Sequence, residues 1–303
     1  MIWYMAVVYY VLPIVIMFEL IRGKFPSKRA WLFEVVGVGF IIAYLFLTGR
    51  WDIVSYYFRI IWPLVFVFVA VRSYVRSRDL PAKGPAKNFT YLFGMGVRVI
   101  LIGFFGYVTA MALTGYSKGD SELALSFPLK NGTFYTAHGG AATNINYHHP
   151  YRPQAYALDI VQLNGLGIRS NGWNPDNLKS YEIYGTAIFS PCDGTVMKTK
   201  DGLKEIPPSK MDDSTKSYRE KYPEGNHVVL KCKDTDVLMA HMIPQSVQVE
   251  KGQEVASGDQ LGKVGNSGNT SEPHLHIHAE RDGNGVPITF NGRFAKRNSL
   301  FFE

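Results

Sequence analysis

The chain changes its hydrophobic rhythm near residue 115. Before that point apolar residues run almost unbroken through four stretches, residues 2–21, 31–48, 53–71 and 89–113, separated by short polar segments. Each stretch approaches or exceeds the roughly 18 to 20 residues that a helix needs to cross a bilayer. The pattern predicts a four-helix transmembrane anchor over residues 1–115. A cleavable leader fits poorly, because Met1-Ile-Trp-Tyr4 carries no charge and three more apolar runs follow the first.

From Leu123 onward the runs shorten, alternate and are broken by Gly, Pro and Asn, the pattern of an antiparallel all-β domain. Strands are expected at residues 133–136, 155–162, 187–189, 194–197, 227–231, 237–241, 246–249, 260–264 and 274–279. No amphipathic helix stands out there. Two polar stretches, 164–179 and 199–225, are too long for hairpin turns and are expected to wall a groove. The division read from the pattern is an anchor at 1–115, a linker at 116–131 and a β domain at 132–303.

Charge then orients the anchor. Nine of the twelve basic residues before residue 116 lie in two loops, Arg22, Lys24, Lys28 and Arg29 in one, Arg72, Arg76, Arg78, Lys83 and Lys87 in the other. By the positive-inside rule both loops are cytoplasmic, which places the two ends of the anchor, and the domain after it, outside the cell membrane. The formal net charge of +7 suggests nucleic acid only until it is divided. Residues 1–115 hold twelve Lys and Arg against four Asp and Glu, and the remainder holds twenty against twenty-one. The surplus is a topology signal, and a nucleic-acid partner is set aside. Within the spans, Arg98 is expected to pair with Glu34 or to reach the interface, so the helices read as an anchor rather than a transport path.

The densest chemistry lies at Pro273-His-Leu-His-Ile-His278, where histidines recur at every second position. In a strand His274, His276 and His278 share one face, and Leu275 and Ile277 face the core. Imidazole is a common zinc ligand and also a proton carrier near neutrality. Cys192 and Cys232 either oxidise to a disulfide or serve as small core residues.

Further segments carry a resemblance: Tyr156-Ala-Leu-Asp-Ile160, Ser190-Pro-Cys-Asp-Gly-Thr-Val196, Gly225-Asn-His-Val-Val-Leu230, Leu238-Met-Ala-His241, and the run from Val249 to Gly265 that leads into Pro273-His-Leu-His276. In this order they are similar to the LytM and lysostaphin-type zinc endopeptidases, which cut peptide bonds in bacterial cell walls. The resemblance covers residues 132–280 and implies a β-sheet, barrel-sandwich fold, one zinc ion and peptidoglycan peptides as substrate. By position it implies Asp159 and His276 as metal ligands and His241 and His274 as catalytic histidines. The family usually sets its first ligand histidine four residues before the aspartate, where this chain has Ala155. A branch with Asn-Tyr-His further upstream is the better match to Asn146-Tyr-His148 and Gln154-Ala-Tyr-Ala-Leu-Asp159, which selects His148 over His149. Three N and O ligands leave a fourth position open, as catalytic zinc requires. His278, where the family commonly has Glu, is expected to support His276. His227 is expected to border the groove, and His138 to be a loop residue.

Two other readings compete. A non-hydrolytic domain could use the same groove to bind peptidoglycan or activate another wall hydrolase, and zinc content separates the two. A biotinyl or lipoyl carrier shares the Gly194-Thr-Val196 pattern but would need a carrier lysine in a tight turn, whereas Met197-Lys198 enters a long polar stretch.

Overall fold

In the computed structural model, which describes residues 2–85, 88–119, 122–173, 175–209 and 212–303, the chain divides into two units, residues 1–113 and 114–303. Lys87, counted above among the basic residues, lies outside the described residues.

Four helices of the first unit are long and apolar enough to cross a membrane: Tyr4–Arg22, Lys28–Thr48, Phe58–Ser77 and Phe89–Thr114. Pro13 lacks the N–H that would serve the Tyr9 carbonyl one turn earlier. The first helix widens there into a π turn, Val7–Val11, and Trp62 Nε1 donates to that carbonyl at 2.9 Å. The third helix starts at Phe58 rather than at residue 53. Trp51–Ile53 instead form a 3-10 turn around Asp52, which is fully buried and paired with Arg50 at 2.7 Å. Arg98 donates to Glu34 at 2.6 Å, so two charges inside the spans neutralise each other.

The second unit is built on short strands. These are β1 (Leu123–Leu125), β2 (Thr133–His138), β3 (Leu158–Leu163), β4 (Ala187–Phe189), β5 (Gly194–Lys200), β6 (Asn226–Cys232) and β7 (Thr235–Met242). They continue with β8 (Glu254–Val255), β9 (Gln260–Lys263), β10 (Leu275–Arg281), β11 (Asn284–Val286), β12 (Ile288–Phe290), β13 (Arg293–Phe294) and β14 (Leu300–Phe302). The main sheet runs β14-β2-β3-β10-β7-β6-β5-β8, with β11 added to β10. Smaller sheets run β1-β12-β13 and β4-β9. Strand β10 is central. Its Leu275, Ile277 and Ala279 pack with Leu158, Ile160, Val237 and Met239, so the intervening histidines and Asp159 share the opposite face.

Three expectations need correction, and one region adds strands that were not foreseen. Residues 116–131 are not simply a linker: β1 pairs in parallel with β12, Leu129 is fully buried, and Phe127 stacks on Phe301 at 4.6 Å. Residues 246–249 form no strand, because Val247 N–H donates to the Asp201 carboxylate and Gln248 N–H to Leu261 O outside any ladder. A helix, Asp213–Lys221, sits inside the long polar stretch. Its sequence lacks an apolar stripe, and its ends specify it instead: the Asp212 side chain accepts from Thr215 N–H, Asp213 lies in the first turn, and Arg219 and Lys221 lie in the last. Finally, the chain after residue 279 adds β11 to β14, whose two- and three-residue strands are too short to show a period.

Cys192 and Cys232 form a disulfide across a separation of 40 residues. It ties the turn before β5 to the end of β6, where Cys232 is buried in the core. Loop closure of that length predicts that replacing both cysteines by serine lowers the stability of the C-terminal unit by about 4 kcal/mol. Urea unfolding of parent and variant checks this. An unchanged midpoint would mean that the cross-link adds nothing to the sheet.

Candidate functional site

The pairing of three strands assembles the site. On β10, His276 stands directly opposite Asp159 of β3 on one side and Ala240 of β7 on the other. His241, next to Ala240, has a left-handed backbone with φ 64°, an uncommon conformation for a residue with a side chain. Two backbone bonds hold it, His241 N–H to Glu224 O at 3.0 Å and Gly265 N–H to His241 O at 3.1 Å.

His148 arrives from a loop rather than a strand. The buried Asn146 side chain donates to the carbonyls of Gly140, Ala155 and Ala157 and accepts from His148 N–H, which folds the loop back onto β3. His148 Nε2 thereby lies 3.1 Å from both Asp159 oxygens, and His276 Nδ1 lies 2.9 Å from Asp159 Oδ1. His149 turns elsewhere: its Nδ1 is 2.9 Å from Ala155 O.

The ligand atoms of His148, Asp159 and His276 lie within 4.8 Å of one another. Contacts of 2.9 and 3.1 Å are close to the roughly 3.3 Å between ligand atoms of a tetrahedral ion with bonds of about 2.0–2.1 Å, so the residues fit zinc. His241, His274 and His276 make a second group within the same limit, sharing His276.

His241 and His274 are oriented alike. His241 Nδ1 lies 2.8 Å from Ser267 O, and His274 Nδ1 lies 2.8 Å from Glu272 O. A carbonyl only accepts, so each ring carries a proton on Nδ1 and turns Nε2, a lone pair when the ring is neutral, toward the site. His274 Nε2 is buried without a hydrogen-bond partner, 3.4 Å from Asp159 Oδ1. The two rings lie 4.9 Å apart between centroids. Ser267 reaches His241 because two glycines meet beneath it. Gly225 has φ 60° and Gly268 φ 84°, and a Cβ on Gly268 would come within 2.4 Å of Gly225 N.

Electrostatics follow from this packing. Burial would raise the Asp159 carboxyl, but His148 and His274 beside it outweigh burial and hold it well below the usual carboxylate range. Burial pushes His241 well below the usual imidazole range, and His274 and His276 act in the same direction. Burial also lowers His274, yet the adjacent Asp159 carboxylate prevails and raises it. His276 is lowered, chiefly by burial, and His278 is lowered to about 3 by burial and then by His276 and His148. At neutral pH His241 and His278 are therefore neutral rings.

Around the histidines the cleft is lined by Tyr147, Gln154, Pro223, Glu224 and Asn269. His227, expected at its border, is buried with its Nδ1 on Gly225 O, and its neighbours Pro223 and Glu224 form the wall instead. His138 accepts from Arg297 at 2.8 Å at the end of β2. The roles of Ser267, Thr270 and Glu272 were not visible in the sequence. Ser267 and Glu272 contribute backbone oxygens, and Thr270 contributes a hydroxyl 3.2 Å from His274 Nδ1.

Among solved structures, a protein from Pseudomonas aeruginosa assigned to peptidase M23 is 19% identical, over 60% of this chain and 56% of that one, with a TM-score of 0.31. A zinc-containing peptidase from Vibrio cholerae is also 19% identical, over 55% and 39%, with a TM-score of 0.29. The catalytic domain of lysostaphin from Staphylococcus simulans is 17% identical, over 42% and 84%, with a TM-score of 0.23. The matched region thus spans about half or less of the first two relatives. Residues 180–288 match peptidase family M23, a segment that includes His241, His274 and His276 and begins after His148 and Asp159. Residues 180–288, within the C-terminal unit, are therefore the part of this chain that is similar to peptidase family M23.

Proposed function

We propose that the C-terminal unit is a zinc-dependent endopeptidase that hydrolyses peptide bonds of bacterial peptidoglycan, in a stem peptide or an interpeptide bridge, outside the membrane in which the first unit is anchored. The observation that carries this reading is the convergence of His148, Asp159 and His276 at metal-ligand spacing, beside two histidines whose Nε2 atoms are left for chemistry. The family match supports the peptidase class. The two basic loops of the anchor support the outward placement, as does a disulfide in the C-terminal unit, since such bonds persist in oxidising compartments.

In this reading His148, Asp159 and His276 hold one zinc ion, and His241 and His274 touch the reacting atoms. When bound, zinc supplies Lewis acidity, lowering the pKa of a water toward about 7 and polarising the scissile carbonyl. The neutral Nε2 of His241 takes a proton from the attacking water as its oxygen adds to the carbonyl carbon. The imidazolium so formed returns that proton to the amide nitrogen as the C–N bond breaks, giving a carboxylic acid and an amine. His274, which the Asp159 carboxylate raises, donates from a protonated Nε2 to the developing oxyanion.

Three outcomes are expected. Metal analysis of the full chain in detergent should find one zinc per chain, with occupancy reduced in His148→Ala, Asp159→Ala and His276→Ala and retained in His149→Ala. Full zinc in His148→Ala together with loss in His149→Ala would reverse the choice of ligand. His241→Ala and His274→Ala should keep their zinc and still bind wall fragments, while hydrolysis followed by mass spectrometry slows by about a hundredfold or more. A parent chain that holds zinc yet cleaves no wall peptide would make the domain a wall-binding or hydrolase-activating one. For topology, Lys118→Cys should react with an impermeant maleimide on intact cells and Lys83→Cys should not. The opposite pattern would place the domain in the cytoplasm.

A further inference from the structure

His276 is held from both ends. Its Nδ1 lies 2.9 Å from Asp159 Oδ1, on the side where His148 presents Nε2, and its own Nε2 lies 3.0 Å from Nδ1 of His278. His276 and His278 are two apart on β10, so their side chains rise from the same face, and they are only 5% and 6% exposed. A neutral imidazole carries one proton, and the nitrogen without it is the acceptor. Asp159 only accepts in its ionised form. Without a metal, therefore, His276 places its proton on Nδ1 toward the carboxylate, and Nε2 needs a donor. With a cation at the ligand positions, Nδ1 must supply its lone pair, the proton moves to Nε2, and Nε2 needs an acceptor.

We infer that His278 is the positioning residue of the site: its Nδ1 donates to His276 Nε2 when no metal is held and accepts from it when one is, so His276 stays oriented and satisfied in both states. An imidazole can do this because its two tautomers exchange donor and acceptor at Nδ1. A carboxylate at 278 would serve only the metal-bound state, and an apolar side chain would serve neither. His278 touches no ligand position itself and acts through His276. The consequence for metal affinity rests on the zinc reading above, whereas the hydrogen bond between the rings does not.

Two measurements on the full chain in detergent separate these levels. Competition of zinc against a chromogenic chelator should show His278→Leu binding about 10- to 100-fold more weakly than the parent. His278→Gln, whose amide offers both a donor and an acceptor, should stay within about threefold. Equal weakening in both variants would reduce His278 to packing and overturn the inference. Histidine-ring 15N spectra of the zinc-free chain should place a proton on Nδ1 of both His276 and His278, and zinc should transfer the His278 proton to Nε2. A zinc-free spectrum with no proton between the two rings would also overturn it. If the parent binds no zinc, the proposed function fails, and the zinc-free spectrum still decides the hydrogen bond.

Discussion

A single buried carboxylate sets the terms for the C-terminal unit. Asp159 is 4% exposed, and an ionised group at that depth costs several kcal/mol unless positive charge and hydrogen bonds surround it. Three imidazoles do so: His148 at 3.1 Å, His274 at 3.4 Å and His276 at 2.9 Å. The opposite shifts of Asp159 and His274 express one fact, that the carboxylate holds its charge and draws a proton onto its neighbour. A bound cation would meet the same demand, so the set of partners that makes the buried charge tolerable also has the spacing of a ligand set. Register enforces it. A slip of one residue between β3 and β10 would turn His276 toward the core and put Leu275 or Ile277 opposite Asp159.

The parts of this arrangement that depend on local periodicity were legible in the chain. Histidines at 274, 276 and 278 announce a strand with one polar face, while Asp159 within Tyr156-Ala-Leu-Asp-Ile160 was singled out only by the resemblance to the LytM and lysostaphin-type endopeptidases. The four apolar runs likewise give the spans, apart from the start of the third, where the Arg50–Asp52 pair holds a turn. What escaped depends on contacts between distant segments or on end effects. The route of His148 is set by Asn146 bonding three carbonyls, the Asp213–Lys221 helix by its caps, and β1 by a parallel partner more than 160 residues away. None of these leaves a hydrophobic period to read.

The two long polar stretches gain their meaning from one loop. Glu205 accepts from Asn266 N–H at 2.7 Å and from the Tyr184 hydroxyl at 2.8 Å, and Asn266 donates to Ile206 O. From the other stretch Arg169 pairs with Glu272 at 2.6 Å, both largely buried. Residues 265–273 are therefore pinned from two sides, and this loop supplies the Ser267 and Glu272 carbonyls that fix the tautomers of His241 and His274. Polar insertions act here as a frame for backbone oxygens. Their composition needed no hydrophobic signal, because an ion pair and a few buried hydrogen bonds can hold a loop already anchored at both ends.

Within the first unit the buried charges are paired off one to one, whereas the second unit gathers several titratable groups around Asp159. In the first, Arg98 meets Glu34, Asp52 meets Arg50, and the Tyr9 carbonyl freed by Pro13 meets Trp62. Each demand is closed by a partner, as expected of helices that hold a protein in lipid. In the second unit His274 Nε2 is buried and lacks a hydrogen-bond partner, although its ring is locked by Glu272 and Thr270. That nitrogen faces Asp159 Oδ1 at 3.4 Å, and a rotation of the ring to bring it closer would break the bond at Nδ1. Here that atom faces the one carboxylate around which the other ligand atoms already gather.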